Sequence, residues 1–194
     1  MVYRCWGDDN DPLMQIYHDT EWGVPLHDDQ KLFEFLVLDG FQAGLSWRTI
    51  LHKREGLRRA FNQFDYHKIA RYSDQKIKAL QMDKSIIRNK AKINAAKANA
   101  RAFLAIQKEF GSFDKFIWSY VRNKPIQNHF KSFDEMPAKT DLSIEISNDL
   151  KKKGFQFVGP TIIYAFMQAI GMVNDHLIKC FRYGELKKIG ASPV

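Results

Sequence analysis

Helical periodicity of the apolar residues extends nearly throughout this chain, and strand-like alternation is limited to short fragments. Apolar residues that recur every three or four positions are typical of amphipathic helices. The longest such segment runs from Ile86 to Phe110 and carries two apolar faces, one of them rich in alanine. A helix with two apolar faces lies between neighbours, and alanines permit their close approach. The pattern therefore predicts an all-α fold.

Capping residues and glycines divide the rest of the chain into shorter helices. Helices are predicted at about residues 29–38, 46–64, 73–80, 113–121, 141–152 and 161–171. The expected caps are Asp28 or Asp29, Ser73 and Ser112, and the second helix is expected to start near Ser46. A last helix is predicted to be capped by Asn174 or Asp175 and to run through Phe181. Residues 122–140, which include Pro125 and Pro137, are the one long predicted connection.

Length and charge limit the class of protein. The chain has 194 residues, which fits one domain or one domain with a small appendage. Thirty Lys and Arg face 22 Asp and Glu, and this formal charge of +8 favours a polyanionic partner, nucleic acid first. No apolar run approaches the ~18 residues of a membrane span, and the N-terminus has no signal-peptide stretch. We expect a cytoplasmic protein.

Two cysteines lie at opposite ends of the chain, each with a histidine nearby in sequence. Cys5 precedes His18, and His176 precedes Cys180 by four residues, which would place both on one face of a capped helix. Two thiolates and two imidazoles suit a tetrahedral zinc ion that leaves no open coordination position. The first spacing matches no common zinc finger, so two buried free thiols beside unrelated histidines stay an alternative.

Two helices joined by a short glycine-containing turn at residues 154–160 form a helix-hairpin-helix pattern. Free N–H groups and the helix dipole at the start of the second helix favour a phosphate oxygen. Lysines 151–153 add positive charge just before the turn. An ordinary αα-hairpin is an equally good interpretation of this pattern.

Aromatic residues cluster in the N-terminal third, at Trp6, Tyr17, Trp22 and Trp47. Asp39 lies mid-helix among apolar residues and glycines. Aromatic rings and one anion suit a planar cation, and glycines allow a flat ligand to approach the backbone. The alternative is a tryptophan-rich core in which Asp39 caps a turn.

These features occur within longer motifs that the chain shares with a known family. The motifs are Arg4-Cys5-Trp6, Tyr17-His18-Asp19, Glu21-Trp22-Gly23-Val24-Pro25, Gln42-Ala43-Gly44-Leu45-Ser46-Trp47, Lys153-Gly154-Phe155-Gln156-Phe157-Val158-Gly159 and Val173-Asn174-Asp175-His176. With them, the chain resembles the bacterial 3-methyladenine DNA glycosylase I family, the constitutive enzymes. The resemblance covers about residues 1–183.

This resemblance implies an all-helical fold of the helix-hairpin-helix DNA glycosylase superfamily. It implies a single helical domain over residues 1–183, followed by a C-terminal tail of residues 184–194. It also implies one structural Zn²⁺ per chain, which ties the N- and C-terminal segments together. The implied ligands are Cys5, His18, His176 and Cys180.

The implied reaction is base-excision repair of double-stranded DNA that contains alkylated bases. A 3-methyladenine nucleotide would be flipped into a pocket, its N-glycosidic bond hydrolysed, the free base released and an abasic site left, with no lyase step. Tyr17 and Trp47 are expected to sandwich the base, Trp22 and Trp6 to complete the pocket, and Asp39 to be the catalytic carboxylate. The residues expected to contact DNA phosphates are Lys153, Gly154, Phe155 and Gly159. No membrane and no obligate protein partner are implied.

The carboxylate at position 39 departs from the family pattern, which has Glu followed by a Gly-Gln pair. This chain reads Asp39-Gly40-Phe41. Aspartate keeps the charge but shortens its reach by one methylene, about 1.3–1.5 Å. Contact with the base could then pass through a water molecule, or the base could lie deeper. Phe41 adds apolar bulk beside it.

Many superfamily members carry a catalytic aspartate after the second helix of the hairpin, where this chain has Asn174. That route is therefore expected to be closed. Two other function classes stay open from the residues. A zinc-containing DNA-binding module without activity would have no use for a pocket of aromatic rings and a carboxylate. A zinc hydrolase is disfavoured because four protein ligands leave no position for a reactive water.

Overall fold

The computed structural model describes residues 2–7 and 10–189, and this part of the chain is mostly helical. The helices are α1 Pro12–Thr20, α2 Asp29–Gln42, α3 Trp47–Ala60, α4 Tyr66–Ile69, α5 Asp74–Met82, α6 Lys90–Phe110, α7 Phe113–Ser119, α8 Asp141–Lys152, α9 Pro160–Ala169 and α10 Phe181–Ile189. Two short strands, β1 Ile126–Gln127 and β2 Val173–Asn174, pair in parallel. The helical fold class predicted from periodicity is confirmed.

The predicted N-terminal caps form side-chain hydrogen bonds to the first turns of their helices. The cap of α2 is Asp28, and Ser46, Ser73 and Ser112 cap α3, α5 and α7. Each side chain accepts a hydrogen bond from the backbone N–H three residues later. These local signals therefore fix the starts of four helices.

Helix α1 lies in a segment where periodicity predicted none. Asp11 accepts hydrogen bonds from the N–H groups of Leu13 and Met14, and Pro12 occupies the first turn. Proline fits there because its missing N–H would have no intrahelical partner. Two of the apolar residues of α1, Leu13 and Ile16, are exposed, so the helix presents no clean amphipathic pattern.

The helix predicted to run from Asn174 or Asp175 through Phe181 is wrong. Asn174 belongs to β2, residues 175–180 form turns, and α10 begins only at Phe181. The Asp175 carboxylate, instead of capping a helix, accepts hydrogen bonds from distant side chains, those of Asn128, Tyr164 and Gln168. Helix α10 continues to Ile189, into the expected tail, and Leu186 on this helix is only 2% exposed.

Helix α2 is the centre of the core. Every residue from Leu32 to Phe41 is buried, and α3, α6, α7 and α9 all pack against this helix. The long helix α6 is also covered on two sides, as its two apolar faces predicted: Ile93 and Ala100 are buried on one, and Ala95 and Ala102 on the other. Among the described residues, no helix is long and apolar enough to cross a membrane.

The turn after α9 makes a prediction about stability. Gly171 has φ +73°, and a Cβ there would lie 2.4 Å from the carbonyl carbon of Val24. We expect Gly171→Ala to lower the free energy of unfolding by about 2–5 kcal/mol, because backbone strain adds to overpacking. Gly184→Ala is the matched control, since it lies in α10 beside open space and should gain about 0.5–1 kcal/mol. Urea unfolding that gives both variants the same midpoint would contradict the expectation.

Candidate active site and metal centre

A cavity of about 330 Å³ opens beside the C-terminal half of α2. Its lining is largely aromatic and apolar, and Asp39 is the one carboxylate among the described residues that line it. The lining residues are Trp6, Met14, Tyr17, Trp22, Asp39, Gln42, Trp47, Ala165, Gln168 and Ala169. The structure thus brings together all five residues that the sequence placed in a base pocket.

The aromatic side chains contact one another around the cavity. Trp6 lies 5.1 Å from Trp22 and 5.9 Å from Tyr17, measured between ring centroids. Tyr17 and Trp47 are 5.0 Å apart at an interplanar angle of 44°. A ring sandwiched between two others needs a separation of about 7 Å, two stacking distances. At 5.0 Å the Tyr17 and Trp47 rings leave no such gap in this structure, so a sandwiched base would require them to move apart, and the sandwich stays a prediction.

Asp39 is 1% exposed, and its Oδ2 atom has no hydrogen-bond partner among the described residues. Burial raises the pKa of this carboxyl well above its usual range. The Nε1–H of Trp47 is likewise buried without a partner. Buried polar atoms are normally paired, and an unpaired one costs free energy. A ligand that offers a positive charge and an N–H group to Asp39 would remove this cost.

Phe41 does not fill the space near Asp39. Its ring packs against Phe61, with 5.8 Å between centroids, and does not line the cavity. The two residues are two positions apart on a helix and therefore point in different directions. The polar residue that follows, Gln42, lines the cavity instead.

Gln168 is a pocket residue that pattern reasoning did not single out for chemistry. Its Nε2 donates to Asp175 Oδ2 at 2.8 Å and to the sulfur of Met136 at 3.1 Å. With both N–H groups engaged, the amide oxygen is left to accept a hydrogen bond. One polar side chain on the otherwise apolar inner face of α9 is the sequence signal that could have found it.

The two cysteines and their neighbouring histidines converge in a second, buried cluster. Cys5 Sγ lies 3.4 Å from His18 Nε2 and 3.6 Å from His176 Nδ1. Cys180 Sγ lies 3.4 Å from each of the same two nitrogens. All four potential ligand atoms are within 4.8 Å of one another, so the cluster could hold a metal ion.

The other nitrogen of each histidine also has a partner. His18 Nδ1 is 2.8 Å from Asp19 Oδ1, and Arg4 binds the same carboxylate. His176 Nε2 is 3.0 Å from the carbonyl oxygen of Trp22. Such acceptors fix the tautomer of a metal-ligating histidine and turn its free nitrogen toward the ion.

The sequence predicted that His176 and Cys180 share one face of a helix. In the structure both residues instead lie in the non-helical segment before α10. The loop between β2 and α10 brings them together, with the Cys180 N–H donating to the Leu177 carbonyl oxygen at 2.7 Å. The cluster also contacts the cavity, because Trp6 lies 5.0 Å from His18 and Trp22 lies 4.4 Å from His176, ring to ring.

The hairpin, residues 153–159, joins α8 to α9. Gly154, at φ +92°, lets the chain leave α8: its N–H donates to Lys151 O, and the N–H of Phe155 donates to Leu150 O. Both N–H groups are therefore engaged inside the hairpin, and the Phe155 side chain is buried. This structure therefore leaves neither N–H group free for a phosphate, and contact of Gly154 and Phe155 with DNA stays a prediction.

Among the described residues, free N–H donors lie both in the second half of the hairpin, at Phe157, Val158 and Gly159, and at the start of α9. Gly159 provides no side-chain cap, and within the described residues no hydrogen bond engages the N–H groups of Thr161 and Ile162. Lys153 is turned toward α6 and α7, where its Nζ lies 2.8 Å from Glu109 Oε2 and 4.7 Å from the centroid of the Phe110 ring. Lys151 is exposed.

Comparison with known proteins agrees with this geometry. The family model described as methyladenine glycosylase matches residues 6–183. The chain belongs to the methyladenine glycosylase family. It is 47% identical to DNA-3-methyladenine glycosylase 1 of Escherichia coli over 180 aligned residues. The alignment covers 93% of this chain and 96% of that protein. Its identity to DNA-3-methyladenine glycosylase of Haemophilus influenzae is also 47%, over 93% of this chain and 97% of the relative.

Solved structures of family members superpose closely on this chain. A crystal structure of 3-methyladenine DNA glycosylase I matches with a TM-score of 0.89 at 47% identity, covering 92% of this chain and 98% of that one. The Staphylococcus aureus enzyme, solved to define 3-methyladenine recognition, gives a TM-score of 0.89 at 37% identity over 92% of this chain and 95% of its own.

The buried carboxyl of this family member makes a prediction about pH and stability. Because the pKa of Asp39 is raised in the folded state, its ionisation destabilises the fold as pH rises above the ordinary carboxyl pKa of about 4. Asp39→Asn keeps the shape and removes this ionisation. The free energy of unfolding of the parent, relative to that of the variant, should therefore fall with rising pH until the raised pKa is passed. Urea unfolding of both proteins at several pH values tests this, and a difference independent of pH would contradict it.

Proposed function

We propose that this protein removes 3-methyladenine from alkylated double-stranded DNA in base-excision repair. It hydrolyses the N-glycosidic bond, releases the free base and leaves an abasic site. The observation that carries the proposal is the buried Asp39 carboxyl in an aromatic cavity, whose Oδ2 has no partner among the described residues, in a chain 47% identical to enzymes named for this activity. The absence of a spanning helix among the described residues is consistent with our proposal of a cytoplasmic enzyme.

The chemistry of the substrate matches the parts of the pocket. A 3-methyladenine nucleotide carries a positive charge, which makes its glycosidic bond labile, so that no strong general acid is needed. The site must instead extract the flipped base, stack it against Tyr17 and Trp47, and stabilise its charge with Asp39. The cation in turn favours the ionised form of Asp39 and lowers the carboxyl pKa that burial has raised. The C1′–N9 bond breaks with its electron pair on the base, which leaves as neutral 3-methyladenine. Water adds to C1′ of the sugar, gives up a proton and leaves the hydroxyl group of the abasic site.

A lyase step would need a lysine that forms a covalent intermediate with the sugar. Among the described residues, no lysine lines the cavity, so we expect the reaction to stop at the abasic site. The superfamily route through an aspartate after the second hairpin helix is also closed. Asn174 stands there, buried, and its Nδ2 donates to Gln127 Oε1 at 2.9 Å. Its neighbour Asp175 is occupied by three hydrogen-bond donors and does not line the cavity.

We infer that α8, the hairpin and α9 form the helix-hairpin-helix unit of the glycosylase superfamily. A DNA phosphate would accept hydrogen bonds from the free N–H groups of Thr161 and Ile162, with the positive end of the α9 dipole behind them. Gly159 would allow the phosphate to approach because it has no side chain. Lys153 would contribute charge at longer range than expected, since it is paired with Glu109.

We propose that the Cys5, His18, His176 and Cys180 cluster holds one structural Zn²⁺. Zn–S bonds of about 2.3 Å and Zn–N bonds of about 2.0–2.1 Å give a tetrahedron whose sulfur–nitrogen edges are about 3.5 Å. The four sulfur–nitrogen distances here are 3.4–3.6 Å. Four protein ligands close the coordination sphere, so the ion would join the N- and C-terminal segments within one domain that includes α10, and take no part in hydrolysis.

The activity is tested by release of free base from methylated duplex DNA, with Asp39→Asn beside the parent. We expect single-turnover excision of 3-methyladenine to fall about tenfold to a hundredfold, which is about 1.5–3 kcal/mol for a lost charged interaction. Affinity for an abasic duplex should hardly change. Asp39→Glu should be tolerated, because Phe41 leaves the cavity free.

The surface variant Asp74→Asn serves as the control and should keep the parent rate. Equal rates for the parent and Asp39→Asn would show that Asp39 has only a structural role. DNA binding by the parent without any base release would favour a non-enzymatic DNA-binding module.

The metal proposal predicts about one equivalent of zinc in protein purified without added metal. Cys180→Ala should lose the ion and lower the midpoint of thermal unfolding together, because the ion binds only the folded chain. Elemental analysis and calorimetry of parent and variant measure both. A folded parent that contains no metal would refute the site.

A further inference from the structure

Two polar side chains are buried on one face of α6, outside both the cavity and the metal cluster. Lys92 is 6% exposed and Asn99 is 3% exposed. They are seven residues apart, which on an α-helix means nearly the same direction and about 10 Å along the axis. Burying such groups costs free energy unless they bind specific partners. Their partners lie in two different functional segments.

Lys92 binds the end of α2. Its Nζ donates to the carbonyl oxygen of Phe41 at 2.8 Å and to that of Ala43 at 2.6 Å. The last carbonyls of a helix lack intrahelical partners and carry the negative end of its dipole, so a cation is favoured there. From this point the chain turns through Gly44, at φ +74°, into α3. Lys92 thus fixes the turn that separates Asp39 and Gln42 from Trp47.

Asn99 binds the hairpin. Its Oδ1 accepts from the N–H of Gln156 at 2.8 Å, and its Nδ2 donates to the carbonyl oxygen of the same residue at 3.0 Å. This reciprocal pair satisfies both the N–H and the carbonyl oxygen of Gln156, a residue that lies in the hairpin outside any helix or strand. The next residue, Phe157, lies against α2: a Cβ on Gly40 would be 3.5 Å from its Cβ. The hairpin therefore meets α2 one residue beyond Asp39.

We propose that Lys92 and Asn99 are positioning residues for base excision, which together fix the distance between the base pocket and the hairpin through the rigid helix α6. This inference rests on the proposed function. An extruded base must reach Asp39 while its strand is bound at the hairpin, so both places need a fixed separation. A misplacement of about 1 Å can reduce a reaction rate about a hundredfold.

Two variants separate the two contacts. Lys92→Met keeps the length of the side chain and removes its donors, and Asn99→Ala removes the bond to the hairpin. The matched controls are Lys90→Met and Asn94→Ala, because both residues are exposed on the same helix. Three quantities are measured for each protein: affinity for free 3-methyladenine by calorimetry, affinity for a duplex with an abasic-site analogue, and the single-turnover excision rate.

We expect Lys92→Met to weaken free-base binding about ten- to a hundredfold and to leave abasic-duplex affinity within about twofold. Asn99→Ala should weaken abasic-duplex affinity about ten- to a hundredfold and leave free-base binding within about twofold. Both variants should excise 3-methyladenine more slowly than their controls. If Lys92→Met does not fold, Lys92→Gln, which keeps one donor group, tests the same contact. The measurements on Asn99→Ala do not depend on either Lys92 variant.

Loss of both affinities in both variants, in proportion to a fall in thermal stability, would reduce these residues to general core packing and overturn the inference. Unchanged affinities and rates in both variants would overturn it as well. A parent that neither binds free 3-methyladenine nor releases it from DNA would refute the proposed function instead, so the two failures are distinguishable.

Discussion

Burial of α2 on every side constrains the rest of this molecule. Ten consecutive residues of the helix are inaccessible to solvent, and four other helices cover them. A side chain on such a helix has fixed neighbours and little freedom to move. Asp39 therefore keeps its unpaired carboxylate at one place, and the fold carries the free-energy cost of burying it. A cationic ligand relieves that cost, whereas a neutral base does not. The unfavourable burial of Asp39 in the free protein would therefore favour binding of a cationic base over a neutral one.

The pocket and the Cys/His cluster are built from the same short segments of chain. Cys5 is followed by Trp6, Tyr17 by His18, and the carbonyl of Trp22 accepts from His176. Ligand and pocket side chains therefore alternate along the sequence, and their rings touch. An ion in the cluster would fix the rings of the pocket without contacting the substrate. This arrangement explains how a closed, four-ligand site can matter to an active site while supplying no chemistry.

Local signals in the sequence predict much of this structure. The helix caps predicted at Asp28, Ser73 and Ser112 form, and the pocket rings, Asp39 and the four Cys/His side chains come together. What the sequence did not predict depends on tertiary partners. Asp175 looks like a helix cap, but three distant donors bind it, and the predicted helix is replaced by turns. The N–H groups of Gly154 and Phe155 look available to a phosphate, but the end of α8 uses them. Lys92 and Asn99 belong to no predicted site, because only the packing of α6 against the end of α2 and the hairpin gives them their partners.

The contact between the two ends of the chain also has a consequence for the order of events during synthesis. Cys5 and His176 meet across 171 residues of sequence. The ribosome delivers the N-terminal rings first and the residues that fix them last, at about 5–20 residues per second. A nascent chain can thus build its central helices, α2 and α6, well before Trp6 and Trp22 have their final neighbours. The aromatic cavity is completed only when the turn after β2 has emerged, so a shorter nascent chain could not yet hold a ligand there.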